Sequence, residues 1–272
     1  MTKKTCFRIA ILLSAIFLFF SCRTIPEREE SLLPPEISQD SEIQWKKAGE
    51  GIEQLDFFDT KIEYHVIKLD LSKKWEIKSF PENDSWNKTK SVKEFAKENN
   101  LEVCVNSNPF ERTINQNPFS KTRPIGIIIR NSKLISAPNS RYSAIAFYKQ
   151  EDGTYKAEIF DSQAEIPSTN PDFSFGGFFT ILRNNKIYEF KNYKDVRCAA
   201  AISNNGRTLY LLAGKNLSYK DTALIFMNLE AETALQFDGG SSTSLVFKNK
   251  NLLNGFIRCK VAAGFGLGYF CQ

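Results

Sequence analysis

Apolar and polar positions alternate along this chain in short runs, and those runs predict strands far more often than helices. From Ile62 to Phe80 the alternation occurs twice, in Tyr64-His-Val-Ile-Lys-Leu-Asp-Leu71 and in Trp75-Glu-Ile-Lys-Ser-Phe80. That is the period-two signature of a half-buried strand pair. Ser91 to Asn100 instead places Val92, Phe95 and Ala96 on one face of a short helix. Leu101 to Val105 returns to strand and ends in Asn106-Ser-Asn-Pro-Phe110.

Further along, hairpins are expected wherever two such runs flank turn residues. Ile125–Arg130 and Lys133–Ile135 turn at Asn131-Ser132, and Ser143–Tyr148 and Tyr155–Phe160 turn at Asp152-Gly153. Phe178–Leu182 and Ile187–Phe190 flank Asn184-Asn185, and Cys198–Ile202 and Leu209–Leu212 flank Asn204-Asn205-Gly206. Asp221 to Ala231 reads as the clearest helix of the domain, followed by the strand Ala234–Phe237. Strands outnumber helices, and each helix leads into a strand that ends in a polar loop. The expected class is α+β, with a mixed, strand-rich central sheet and a few packed helices.

The amino terminus has a different pattern. Lys3, Lys4 and Arg8 precede an almost wholly apolar stretch, Ile9 to Phe20. As a helix its twelve residues would rise only about 18 Å, short of a hydrocarbon core of about 30 Å. Residues 1–21 therefore read as a signal peptide. Phe19, Phe20 and Ser21 ahead of Cys22 resemble a lipobox, which would lipidate Cys22 and anchor the protein to a membrane. Ordinary cleavage near Ser21 is the alternative, and both readings export the protein. Residues 22–49, rich in Glu, Ser and Pro, suit a flexible tether. Residues 50–272 are then one domain large enough to bury a core.

Losing the leader changes the charge and the cysteine count. The formal net charge of +5 falls to about +2 once Lys3, Lys4 and Arg8 are gone, and the remaining lysines are scattered. Nucleic acid is not an expected partner. Cys104, Cys198, Cys259 and Cys271 remain; Cys259 with Cys271 would staple the carboxyl terminus, while buried free thiols are the alternative reading.

Several chemistries are excluded outright. The only histidine is His65, inside an alternating strand, so neither a Ser-His-Asp triad nor a multi-histidine zinc site can be built without it. There is no G-x-S-x-G elbow, P-loop or C-x-x-C. The informative stretch is Ala234 to Phe247, where a strand delivers Asp238 to its end and Gly239 and Gly240 let the backbone turn and approach a ligand. Ser241, Ser242 and Thr243 follow. A carboxylate, exposed amides and hydroxyls suit a polyhydroxylated or phosphorylated ligand. A tight turn in which Asp238 caps backbone amides is the plain structural alternative.

Leu235 to Phe247 resembles the signature of the phosphodiester glycosidase (NAGPA) family, apolar-Asp-Gly-Gly followed by hydroxyl residues. Other landmarks come in that family's order. Leu101 to Phe110 is similar to a strand ending in Asn-Gly-Gly-Phe-Phe, with Asn106 and Phe110 matching and Ser107 and Asn108 in place of the glycines. Arg123 to Arg130, Arg197 to Ile202 and Lys260 to Ala263 resemble later strands, so the likeness covers about residues 62–272.

The resemblance implies hydrolysis of a sugar-1-phosphodiester bond, in which the sugar develops oxocarbenium character and the phosphate departs with charge. On that footing Asp238, Arg197 and Asn106 are the catalytic candidates. Asp238 would activate water or oppose the cationic sugar, Arg197 would balance the phosphate, and Asn106 would bind hydroxyls or phosphate. Gly239, Gly240, Ser241, Ser242, Thr243 and Phe110 would line the substrate site. Glu111 is the nearest candidate for a second carboxylate. The sequence requires no cofactor; a divalent cation could sit at a lone Asp loop, but no ligand spacing demands one. Expected partners are a carbohydrate or sugar-phosphate and, through Cys22, a membrane. A saccharide-binding lipoprotein without catalysis is the alternative.

Overall fold

A computed structural model of the protein describes residues 43–84, 88–112, 122–191, 193–253 and 260–270. The expected leader, Cys22, most of the tether, Cys259 and Cys271 lie outside the described residues.

Three sheets enclose one core. An eight-stranded sheet runs, in spatial order, Lys46–Gly49, Ile52–Phe58, Glu63–Asp70, Thr208–Leu217, Asp195–Ser203, Thr233–Gln236, Thr180–Arg183 and Lys186–Ile187. A five-stranded sheet contains Tyr155–Phe160, Ala144–Lys149, Phe173–Gly176, Ile128–Arg130 and Lys133–Ser136. A second five-stranded sheet contains Lys250–Asn251, Leu245–Phe247, Val103–Asn106, Gly264–Tyr269 and Trp75–Phe80. Phe110–Arg112 and Thr122–Pro124 form a separate ribbon.

Side-chain alternation explains the layering. Val103 and Val105, Ile145 and Phe147, and Cys198 and Ala200 all point into the shared core. Phe175 stacks on Phe265 there, with ring centroids 4.2 Å apart, and Phe237 meets Phe265 edge-on. Each such ring removes apolar surface worth roughly 1.5–3 kcal/mol. The opposite parities face outward, and each sheet has a helix over that face. Phe226 and Ile225 of Tyr219–Asn228 cover Ala199 and Ala201. Phe95 of Val92–Glu98 covers Cys104 and Val246. Ile166 of the 3-10 helix Gln163–Thr169 covers Ala144 and Ala146.

This corrects the expected mixed central sheet, because every strand pairing among the described residues is antiparallel. A parallel pair needs a crossover returning the chain to the same sheet. Here the chain leaves each helix for a strand that pairs antiparallel with its neighbours. The strand-rich expectation holds, and so do the four hairpins. Asn131, Ser132, Asn184, Asn185, Asn204 and Asn205 adopt the positive φ that their tight turns require.

Three local expectations change. Glu63–Asp70 and Trp75–Phe80 are strands but not partners. The first pairs with Ile52–Phe58 and Thr208–Leu217, the second with Gly264–Tyr269. Tyr64 to Ile67 are all buried, so this strand is central and covered on both faces rather than half-exposed. Lys46–Gly49, within the stretch read as tether, is the edge strand of the large sheet. The second long helix begins earlier than Asp221 because Ser218 is its N-cap: Ser218 Oγ accepts the Asp221 N–H and the Asp221 carboxylate accepts the Ser218 N–H, a capping box.

Candidate functional site

The Asp238 loop is the bridge between two sheets. Phe237 follows directly on Thr233–Gln236 of the eight-stranded sheet, its N–H donating to the Cys198 carbonyl at 2.8 Å. One residue later the Asp238 N–H donates to the Ser107 carbonyl at 2.9 Å, on the extension of Val103–Asn106. Gly240–Ser242 then makes a single 3-10 turn, and Leu245–Phe247 pairs with Val103–Val105 in the other sheet.

Asn106 closes the loop. Its Nδ2 donates to the Asp238 carbonyl and its Oδ1 accepts the Ser244 N–H, both at 2.8 Å, so one buried amide spans the two ends of the turn. One N–H and one lone pair of that amide remain for other partners. Asn106 therefore positions the loop before it can touch any ligand.

The glycine pair fits against strand backbone. A Cβ on Gly239 would stand 2.9 Å from the Val196 carbonyl, and Gly240 has φ +57°, so neither position suits a larger residue. Thr243 is fully buried and its hydroxyl donates to the Val196 carbonyl at 3.5 Å. Ser242 is buried, Ser241 is exposed and Asp238 is half-buried. The turn thus presents Asp238, Gly239, Gly240 and Ser241 outward and uses Ser242 and Thr243 inward.

Arg197 lies on the strand that this turn rests on and is only 3 % exposed. Its Nε donates to the Leu217 carbonyl at 3.0 Å and Nη2 to the Tyr193 carbonyl. The guanidinium lies 3.9 Å from the centroid of the Tyr219 ring. No carboxylate among the described residues pairs with it. A buried cation compensated only by carbonyls and a ring retains attraction for an anion. Tyr219 also contacts Phe179 and Phe190 edge-on, which makes an aromatic wall beside Arg197.

The segment after Asn106 is structural. Ser107 and Asn108 are buried. Asn108 Nδ2 donates to the carbonyls of Ile125 and Ile127, and its Oδ1 accepts the Gly176 N–H at 3.1 Å. Gln163 adds a second buried amide at the same junction, accepting from Ile127 and Asn139 and donating to the Ser143 carbonyl. Phe110 packs against the apolar cluster around Phe95. Glu111 is exposed on the outlying ribbon, opposite Arg123.

Three features were not anticipated from the sequence. Gly177 brings the Phe173–Gly176 strand so close that a Cβ would stand 2.5 Å from the Gln236 carbonyl. Gln236, buried beneath the turn, gives both amide protons to the carbonyls of Cys198 and Phe237, leaving Oε1 without a partner. Asp195 lies beside Gly240 at the start of the Arg197 strand. Only Gly176-Gly177 carried a readable signal, a glycine pair between two apolar runs.

The remaining chemical groups sit elsewhere. His65 is buried in the large sheet, its Nδ1 2.7 Å from Asp56 and Nε2 3.3 Å from Glu63. Burial would raise the Asp56 carboxyl, but hydrogen bonds from His65 and Gln54, with the His65 and Lys46 charges, hold it below its ordinary value. Cys104 and Cys198 are free thiols pushed far up by burial, and the nearby Asp238 charge raises Cys198 further. No group of three or more His, Cys, Asp or Glu side chains among the described residues is placed to hold a metal.

Antiparallel sheets, with an Asp-Gly-Gly turn resting on the strand that carries a buried arginine, define a strand-rich domain with a polar turn at a junction of two sheets. The phosphodiester glycosidase (NAGPA) family model matches residues 99–267, and the chain belongs to that family. No curated protein matches the sequence. Among solved structures, a Synechocystis protein has 15% identity and a TM-score of 0.63, with 83% of this chain and 63% of that one covered. This chain thus spans less than two thirds of the Synechocystis protein. The catalytic domain of the zebrafish N-acetylglucosamine-1-phosphodiester alpha-N-acetylglucosaminidase, auto-inhibited by its pro-peptide, has 16% identity and a TM-score of 0.60, with 85% of each chain covered. A Burkholderia pseudomallei K96243 protein has 12% identity and a TM-score of 0.59, with 76% and 74% covered. At these identities the likeness is one of fold.

Proposed function

We propose that the protein is an exported, lipid-anchored hydrolase of sugar-1-phosphodiester bonds in envelope glycans or glycoconjugates. The observation that carries this reading is the buried Arg197 guanidinium, without a carboxylate partner among the described residues, on the strand against which the Asp238 turn rests. Cleavage at the anomeric carbon needs a negative group near the sugar and a positive one near the departing phosphate. Asp238 and Arg197 supply that pair, and family membership and the fold shared with the zebrafish enzyme support it. Asn106 fixes the turn in place, and the Gly239 and Gly240 amides and the Ser241 hydroxyl complete the polar rim.

The full chain, purified in detergent, is expected to release sugar from a panel of glycosyl phosphodiesters, and Asp238→Asn to lower kcat by about a hundredfold or more. A panel without turnover by the wild type would overturn the catalytic reading. Binding of a hexose-1-phosphate without any product would instead favour a saccharide-binding protein. Anchoring rests on the apolar Ile9–Phe20 stretch and on Ser21-Cys22. Labelling with a radioactive fatty acid should mark the wild type and not Cys22→Ala; equal labelling would exclude Cys22 as the acceptor.

A further inference from the structure

Glycoside hydrolysis ordinarily engages two carboxylates, and the fold places a second one against the Gly-Gly turn. Asp195 opens the Asp195–Ser203 strand and is half-buried. Its Oδ1 accepts the Val196 N–H at 2.7 Å, which fixes the orientation of the group. Oδ2 makes no hydrogen bond or ion pair among the described residues. A Cβ on Gly240 would stand 3.7 Å from Oδ2, and one on Gly239 would stand 2.9 Å from the Val196 carbonyl. The turn therefore lies directly on the Asp195–Val196 peptide, with Asp238 at its start and Asp195 at its tip.

A second feature marks the same place for a ligand. Gln236 is 1 % exposed, and its Nε2 lies 3.6 Å from the Cβ position of Gly239. Both of its donors are used, while Oε1 has no donor facing it. A buried acceptor left unpaired is destabilising, and a water or sugar hydroxyl entering beside the turn would pair it.

We infer that Asp195 is the general base that activates the attacking water, an assignment that rests on the hydrolase reading above. Oδ2 takes a proton as the water oxygen bonds to the anomeric carbon. The bond from that carbon to the phosphate oxygen breaks, and its electron pair leaves with a phosphomonoester whose charge Arg197 balances. The sugar departs with a new hydroxyl, and the proton passes from Asp195 to solvent. Phosphate is a good leaving group, so no acid is required on that side. Asp238 is left to oppose the positive charge on the ring.

The test uses the full chain and the same phosphodiester panel. Asp195→Asn should lower kcat by about 10²–10⁴-fold with KM within about threefold. Asp195→Ala should regain turnover when sodium azide or formate is added, with glycosyl azide among the azide products. That rescue reports chemistry that a structural defect could not supply. An Asp195→Asn variant within tenfold of an active wild type, or an Asp195→Ala variant that neither anion rescues, overturns the assignment alone. A wild type inactive on the whole panel overturns the hydrolase reading and the assignment with it.

Discussion

The Asn106 side chain donates to the Asp238 carbonyl at 2.8 Å and accepts from Ser244 at the same distance, so one amide fixes both ends of the turn. Removing it frees two backbone groups, each bond worth about 1 kcal/mol net and more where the stranded group stays buried. Asn106→Ala is expected to lose about 2–4 kcal/mol of stability in urea unfolding. Turnover should fall even at temperatures where the variant is fully folded. Asn106→Asp keeps the acceptor for Ser244 but sets a buried carboxylate oxygen against the Asp238 carbonyl, and should cost at least as much as alanine.

Arg197 combines a planar face on Tyr219 with donors to Leu217 and Tyr193, a combination that lysine lacks. If its remaining charge meets phosphate, Arg197→Lys should weaken hexose-1-phosphate binding about 10–100-fold by calorimetry. Binding unchanged in a folded variant would show that the guanidinium only braces the helix.

Two glycines should respond differently to alanine. At Gly177 the new Cβ would press on the Gln236 carbonyl at 2.5 Å, and that carbonyl already accepts the Phe178 N–H. A loss of about 1–3 kcal/mol is expected, with the floor of the turn displaced. At Gly153, φ is +82° but nothing lies within 4 Å of the Cβ position. Gly153→Ala should cost only about 1 kcal/mol of backbone strain and leave turnover unchanged. Equal effects of the two substitutions would contradict the close approach of Gly177.

Burial pushes the Tyr64 phenol up to about 12 from an ordinary value of 10. The unfolded chain therefore gives up that proton first. Stability from the neutral ring is complete below pH 10 and declines as pH rises from 10 towards 12. Tyr64→Phe should have a shallower alkaline slope in unfolding experiments across that range; an identical slope would mean that Tyr64 does not govern it.

What could be read from the sequence follows what is local. Paired Asn and Gly residues announced the hairpins because their turns demand positive φ, and Ser91 marked a helix start through its side chain. Alternation at Trp75–Phe80 gave the inward face but not the partner, which is Gly264–Tyr269 at the far end of the chain. In the site, Asp238-Gly-Gly was conspicuous, whereas Asp195 and Gln236 were not. Their importance comes from contacts with segments distant in the chain, Gln236 with Cys198 and Asp195 with Gly240, and neither residue type nor spacing signals it. Ser107 and Asn108 stand where the resembled pattern has glycines, and they are interior scaffolding.

The amide that closes the turn joins positions 132 residues apart in the chain. Such a contact forms only after long loops have closed, when most of the fold is already in place. Neither the Asn106 half nor the Asp238 half can hold the turn by itself. An assembled turn is thus a report on complete folding: a partly unfolded chain has every residue of the turn and no turn.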